Sequence, residues 1–136
     1  VGPRPRSIFF DLGCTVYSTN KGNKAGPATD DFDYSRGSGS GPSIPLFFNM
    51  LRDRCLEFDE IYAWEGRQYK AQDWWRLVPV SLRQKIHFYS TYVEELPLQG
   101  SVAGELAGDA SFLRMLPLAA SPSDFVVVKV DIDGGP

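Results

Sequence analysis

Asp124-Phe-Val-Val-Val-Lys-Val-Asp-Ile-Asp-Gly-Gly-Pro136 closes the 136-residue chain: an apolar, β-branched run that delivers two acids to a glycine turn. The run from Phe125 to Val130 reads as a strand buried on both faces, as the parallel strands of α/β proteins are. Such sheets bind ligands just beyond the carboxyl ends of their strands. Asp131 and Asp133 therefore stand where chemistry is expected. Alternation puts Phe125, Val127, Lys129, Asp131 and Asp133 on one face and Val126, Val128, Val130 and Ile132 on the other. The second face reads as plain core, while the first turns from apolar to charged towards the strand's end.

Upstream, Ser7-Ile-Phe-Phe-Asp-Leu-Gly13 reads as a short buried strand ending in a turn. From Ser18 to Ser43 there is no Val, Ile, Leu or Met, and five glycines with two prolines predict a flexible insertion. Ser43 reads as an N-cap with Pro45 in the first turn, and Leu46, Phe47, Met50, Leu51 and Cys55 keep helical spacing, which predicts a helix over 44–56. Glu60-Ile-Tyr-Ala-Trp-Glu65 is a second strand with Gly66 as its turn. Tyr69 to Leu82 reads as a helix interrupted by Pro79, and Lys85 to Val93 as a third strand. A short helix over Ser111 to Leu116, capped from Asp109, precedes Pro117 and the final strand. The order β-loop-α-β-α-β-α-β predicts parallel strands with helical crossovers.

Bulk properties narrow the function classes. With 43% hydrophobic and 13% aromatic residues, the chain has enough apolar material for one packed domain. A net charge of -3, with fourteen Lys and Arg scattered through the sequence, gives no basic field for nucleic acid. No apolar stretch approaches the roughly 18 residues that span a bilayer. Two cysteines without a CxxC and a single histidine, His87, do not make a zinc cage, and a reducing compartment such as the cytoplasm is the default expectation. The start without Met and the stop just after a functional-looking turn read as a piece of a longer protein.

Three predicted strands end alike. Asp11-Leu-Gly13, Glu65-Gly66 and Asp131-Ile-Asp-Gly134 each carry an acid followed within three residues by glycine. Glycine lets the backbone turn sharply and approach a ligand, and the acid accepts hydrogen bonds from hydroxyl or amino groups. An acid ending the second strand is where nucleotide-binding α/β folds grip ribose hydroxyls, which singles out Glu65. His87, alternating with Ile86 and Phe88, reads as a surface or hydrogen-bonded histidine. Cys14 has no base beside it in sequence and is not read as a nucleophile. One ring of Trp74-Trp75 is expected to cover the sheet.

In these residues the chain resembles the FkbM-type family of S-adenosylmethionine-dependent methyltransferases. Phe9-Phe-Asp-Leu-Gly13 is similar to the first cofactor-binding motif, Ile61-Tyr-Ala-Trp-Glu65 to the acidic end of strand two, and Val128-Lys-Val-Asp-Ile-Asp-Gly134 to the family's late motif. The resemblance implies that Asp11 and Gly13 serve the methionine end of the cofactor and Glu65 its ribose. It puts Asp131 and Asp133 at the cofactor or acceptor edge, where either could act as base. It implies methyl transfer to oxygen on an acceptor left open, a small molecule or a glycan-like group. The glycine-rich loop that follows the family's first motif is replaced by Cys14-Thr-Val-Tyr-Ser18, so close backbone approach to the cofactor rests on Gly13. Asp11 and Glu65 lie 54 positions apart, against about 20 in a compact βαβ unit. The expected fold is a three-layer, doubly wound, Rossmann-like parallel sheet of strand order 3-2-1-4, truncated at its C-terminus, with the crevice over strands one and four.

Two other readings are weighed against this one. A degenerate domain would keep the scaffold and bind no cofactor. Ile8 to Val16 also looks like the nucleophile motif of haloacid-dehalogenase-like phosphatases, Asp-x-Asp-Gly-Thr, but Gly13 replaces the second Asp, and losing a general acid costs about 10²–10⁴ in rate. Neither GxGxxG nor GxxxxGK[ST] occurs.

Overall fold

The computed structural model describes residues 2, 4–14, 16–17, 43–66, 70–91 and 112–132. Among these residues eight elements follow in order: β1 (Ser7–Leu12), α1 (Ser43–Arg52), β2 (Glu60–Trp64), α2 (Ala71–Arg76), α3 (Val80–Arg83), β3 (Ile86–Tyr89), α4 (Phe112–Ala119) and β4 (Phe125–Val130). The strands form one parallel sheet of order β3-β2-β1-β4. This is the doubly wound α/β arrangement, and the chain reverses its direction of winding between β1 and β4.

Period-2 alternation builds the three layers. On one face Phe9, Ile61, Ala63 and Ile86 pack with Ile44 and Leu51 of α1, Trp74 of α2 and Leu82 of α3. Phe9 stacks on Phe58 with ring centroids 5.1 Å apart, and Trp74 stacks on Phe88 at 3.9 Å. On the other face Ile8, Phe10, Leu12, Tyr62 and Trp64 meet Phe112, Met115, Leu116 and Ala119 of α4. Phe112 seats α4 by meeting Phe10 edge-on at 5.4 Å, one of the arrangements that aromatic quadrupoles favour. Among the described residues, no helix is long and apolar enough to cross a membrane.

The opposite edge of the sheet is tied by one arginine. The Arg6 guanidinium donates to Glu60 Oε1 at 2.8 Å, to Asp124 Oδ2 at 3.0 Å and to the Ala119 carbonyl at 2.6 Å. It therefore links the starts of β1, β2 and β4 to the end of α4. Asp124 in turn accepts the backbone N–H groups of Arg6 at 2.8 Å and Ser121 at 2.9 Å. These backbone donors, followed by the side chains of Ser121 and Arg6, hold its carboxyl well below the usual carboxylate range.

Several expectations are corrected. β4 is not buried on both faces: Phe125 is 52% exposed and Val130 65%, with Val128 and Ile132 also exposed. Among the described residues β4 pairs only with β1, so its outer edge lacks a neighbour whose side chains would cover it. α1 ends at Arg52 rather than near 56, because Leu56 N–H returns to the Leu51 carbonyl and Cys55 N–H to that of Arg52. Cys55 takes φ 58°, the left-handed residue of such a C-terminal cap and a place that glycine usually fills. Ser43 does not close the insertion as loop; it is buried in the first turn of α1. Residues 18–42 lie outside the described residues, as do Asp109 and Ser111.

The predicted helix from Tyr69 to Leu82 is two helices, with Pro79 capping the second, and Tyr69 is not described. β3 occupies the first half of the predicted 85–93 strand and ends at Tyr89; residues 92–93 are not described. α4 runs through Pro117 to Ala119, and beyond the proline Ala120 N–H still reaches the Leu116 carbonyl at 3.0 Å. Trp74 is buried and Trp75 half-buried. His87 is half-exposed and stacks on Tyr62 at 4.5 Å.

A carboxyl whose native pKa is depressed stabilises the fold above the unfolded value, about pH 4, and that stability is lost as pH falls through the native value. Asp124→Asn should therefore lower stability at pH 7, with the difference from wild type shrinking steadily below about pH 4. Denaturant unfolding across pH checks this; a difference that does not change with pH would contradict the assignment.

Candidate functional site

A parallel sheet gathers every strand's carboxyl end at one edge, and the order β2-β1-β4 makes three of those ends neighbours. Asp11 thus stands on the strand between those that lead to Glu65 and Asp131. In the register Asp11 pairs with Ala63 of β2 and with Lys129 of β4. Asp11 is fully buried, Glu65 is buried, and the Asp131 side chain is 49% exposed. Asp133 lies outside the described residues.

Both oxygens of the Asp11 carboxylate are engaged. Lys129 Nζ donates to Oδ1 at 3.2 Å, and the Ser43 hydroxyl donates to Oδ2 at 2.6 Å. One carboxylate thereby joins β1, β4 and the start of α1. Burial pushes the Asp11 pKa up, and the Lys129 charge with the Ser43 hydrogen bond pulls against it. Lys129, whose side chain is only 17% exposed, also donates to the Gly13 carbonyl at 2.9 Å and lies 3.5 Å from Asp131 Oδ2. Asp11, Gly13 and Asp131 are therefore one connected group.

The turn after β1 closes against both neighbouring strands. Gly13 and Cys14 each donate a backbone N–H to the Trp64 carbonyl at 2.9 Å, and Asp131 N–H donates to the Leu12 carbonyl at 2.9 Å. Gly13 adopts φ +86°, in the region where a side chain is strained. A Cβ there would overlap the Asp131 carbonyl. The space left by the missing side chain, expected to admit a ligand, is filled by the main chain of β4's end.

Glu65 occupies the adjoining strand end, with its N–H donating to the Tyr89 carbonyl at 3.1 Å. Its charge and that of Asp11 both reach the buried Cys14. Burial first, and then these two negative charges, push the Cys14 thiol up, which makes it a poor nucleophile. Among the described residues no group of three His, Cys, Asp or Glu side chains is arranged to hold a metal ion. The arrangement offers one exposed acid, one buried acid at a neighbouring strand end and a neutralised ion pair beneath them.

Two participants lay beyond the sequence reading. Alternation puts Lys129 on the face of Asp131, and its charge in an apolar strand is the signal. Ser43 carried none, since 32 positions separate it from Asp11 and its type fits a helix cap equally well. No family model, no curated protein and no solved structure matches the chain.

Gly13→Ala should destabilise the fold by more than about 2 kcal/mol, because left-handed strain and a main-chain clash act together. Chemical denaturation measures it. A loss below about 0.5 kcal/mol, the size of an ordinary surface substitution, would show that the turn relaxes freely.

Proposed function

We propose that this chain is an S-adenosylmethionine-dependent methyltransferase domain of FkbM type that methylates an oxygen acceptor. The observation that carries the reading is the gathering of Asp11, Glu65 and Asp131 at three adjacent strand ends, on the motifs that resemble the family. The cofactor bears ribose hydroxyls, an ammonium and a sulfonium, and a carboxylate edge suits all three. Glu65 would accept from the ribose hydroxyls, and the strand-one turn at Asp11 and Gly13 would face the methionine end. When bound, the cofactor supplies a methyl group already activated on sulfur. The chain's own task is then to align an acceptor oxygen and take its proton. Asp131, the exposed acid beside Lys129, suits that proton transfer, and Asp133 shares the proposed role by its place in the motif.

A second reading is favoured by a specific observation. Both oxygens of Asp11 and the open side of Gly13 are occupied by protein groups, as in a scaffold that keeps the motif for its own packing. Such a domain would bind no cofactor.

Calorimetry of S-adenosylhomocysteine with the full-length protein decides between them. Glu65→Ala should weaken binding by about 1–3 kcal/mol, the usual cost of leaving a buried polar partner unpaired. Absence of wild-type binding at millimolar ligand, weaker than about -4 kcal/mol, would reject the methyltransferase reading. Binding untouched by Glu65→Ala would reject only the ribose assignment.

A further inference from the structure

We infer that Lys129 is the positioning residue of this site: its ammonium, rather than its aliphatic stem, orders the Asp11 carboxylate and the Gly13 turn and so holds Asp131 at the ligand side. The inference rests on reading the strand ends as a ligand site. Lysine inside an apolar strand is rare, because its charge must be compensated wherever it is buried. A methionine would fill the same stem, so packing alone does not call for an ammonium.

The three oxygens around Nζ belong to three different pieces of the site. They are Gly13 O at 2.9 Å in the turn, Asp11 Oδ1 at 3.2 Å in β1 and Asp131 Oδ2 at 3.5 Å beyond β4. The first two are hydrogen bonds and the third is an ion-pair contact, so one ammonium faces all three pieces at once. The Asp131 main chain is already held by its N–H bond to Leu12 and by its packing on Gly13, so what remains for Lys129 to set is the carboxylate.

Asp11 reports on the same ammonium from inside. The groups facing it are Lys129 of β4, Asp131 just beyond that strand and Ser43 of α1, and Cys14 feels its charge. Lys129 is the strongest influence favouring the ionised form, against burial and the like charge of Asp131. Removing the ammonium leaves burial unopposed except by the Ser43 hydroxyl.

The test follows the Asp11 carboxyl carbon by NMR across pH, alongside S-adenosylhomocysteine calorimetry at pH 7, in wild type, Lys129→Met and Lys129→Arg of the full-length protein. Lys129→Met should move the Asp11 midpoint up by about one pH unit or more, and Lys129→Arg by much less. Binding should weaken about tenfold or more in Lys129→Met and largely recover in Lys129→Arg. A stem that merely packs would leave Asp11 unmoved in Lys129→Met. A folded Lys129→Met protein with wild-type Asp11 titration, or with wild-type binding, overturns the inference. If Lys129→Met does not fold, Lys129→Gln, which keeps a donor without the charge, takes its place. Failure of the wild type to bind removes the methyltransferase reading and leaves the NMR comparison to decide the role of Lys129.

Discussion

A fully buried carboxylate has to be neutralised or paired, and at Asp11 that requirement organises the carboxyl edge of the sheet. An isolated ion in a protein interior costs several kcal/mol, so Asp11 persists only with Lys129 and Ser43 on its two oxygens. Each partner comes from a different element, and satisfying one charge therefore aligns β4 with β1 and seats α1 on the sheet. Gly13 completes the constraint. Its left-handed turn lets the chain close on Trp64 on one side and on Asp131 on the other.

Much of this architecture was legible because its signals are local. Ser7–Leu12, Glu60–Trp64 and Phe125–Val130 are apolar or β-branched runs ending in acid and glycine, and alternation along the last of them puts Val126 and Val127 in opposite layers as read. Pro79 marks the break between α2 and α3 as read. The rest depends on contacts between residues far apart in sequence. Arg6 meets Asp124 across 118 positions, and Asp11 meets Ser43 across 32, separations at which residue type alone points to no partner. β4 misled for a related reason. Its apolar character on both faces reads as burial, whereas exposure is set by what lies beyond its outer edge.

The candidate site was legible as a list of strand-end acids and not as a network. Residue type and position were enough to find Asp11, Glu65 and Asp131 near one another. They were not enough to tell an acid open to solvent from one enclosed by the fold. The geometry separates them: Asp11 is consumed by internal partners, whereas Asp131 faces solvent. That division gives the methyltransferase and scaffold readings their different physical content, since one needs strand-end groups free to meet a ligand and the other needs only the internal network.

The central claim is that Asp11 and Lys129 act as a coupled pair on which the edge depends. A double-mutant cycle in denaturant unfolding, using Asp11→Asn, Lys129→Met and the double variant, tests this most directly. Each single change should be strongly destabilising because it strands the other partner, and the double variant should recover about 1–3 kcal/mol relative to the sum. Additivity within about 0.5 kcal/mol would mean that the two residues do not interact, and would contradict the account.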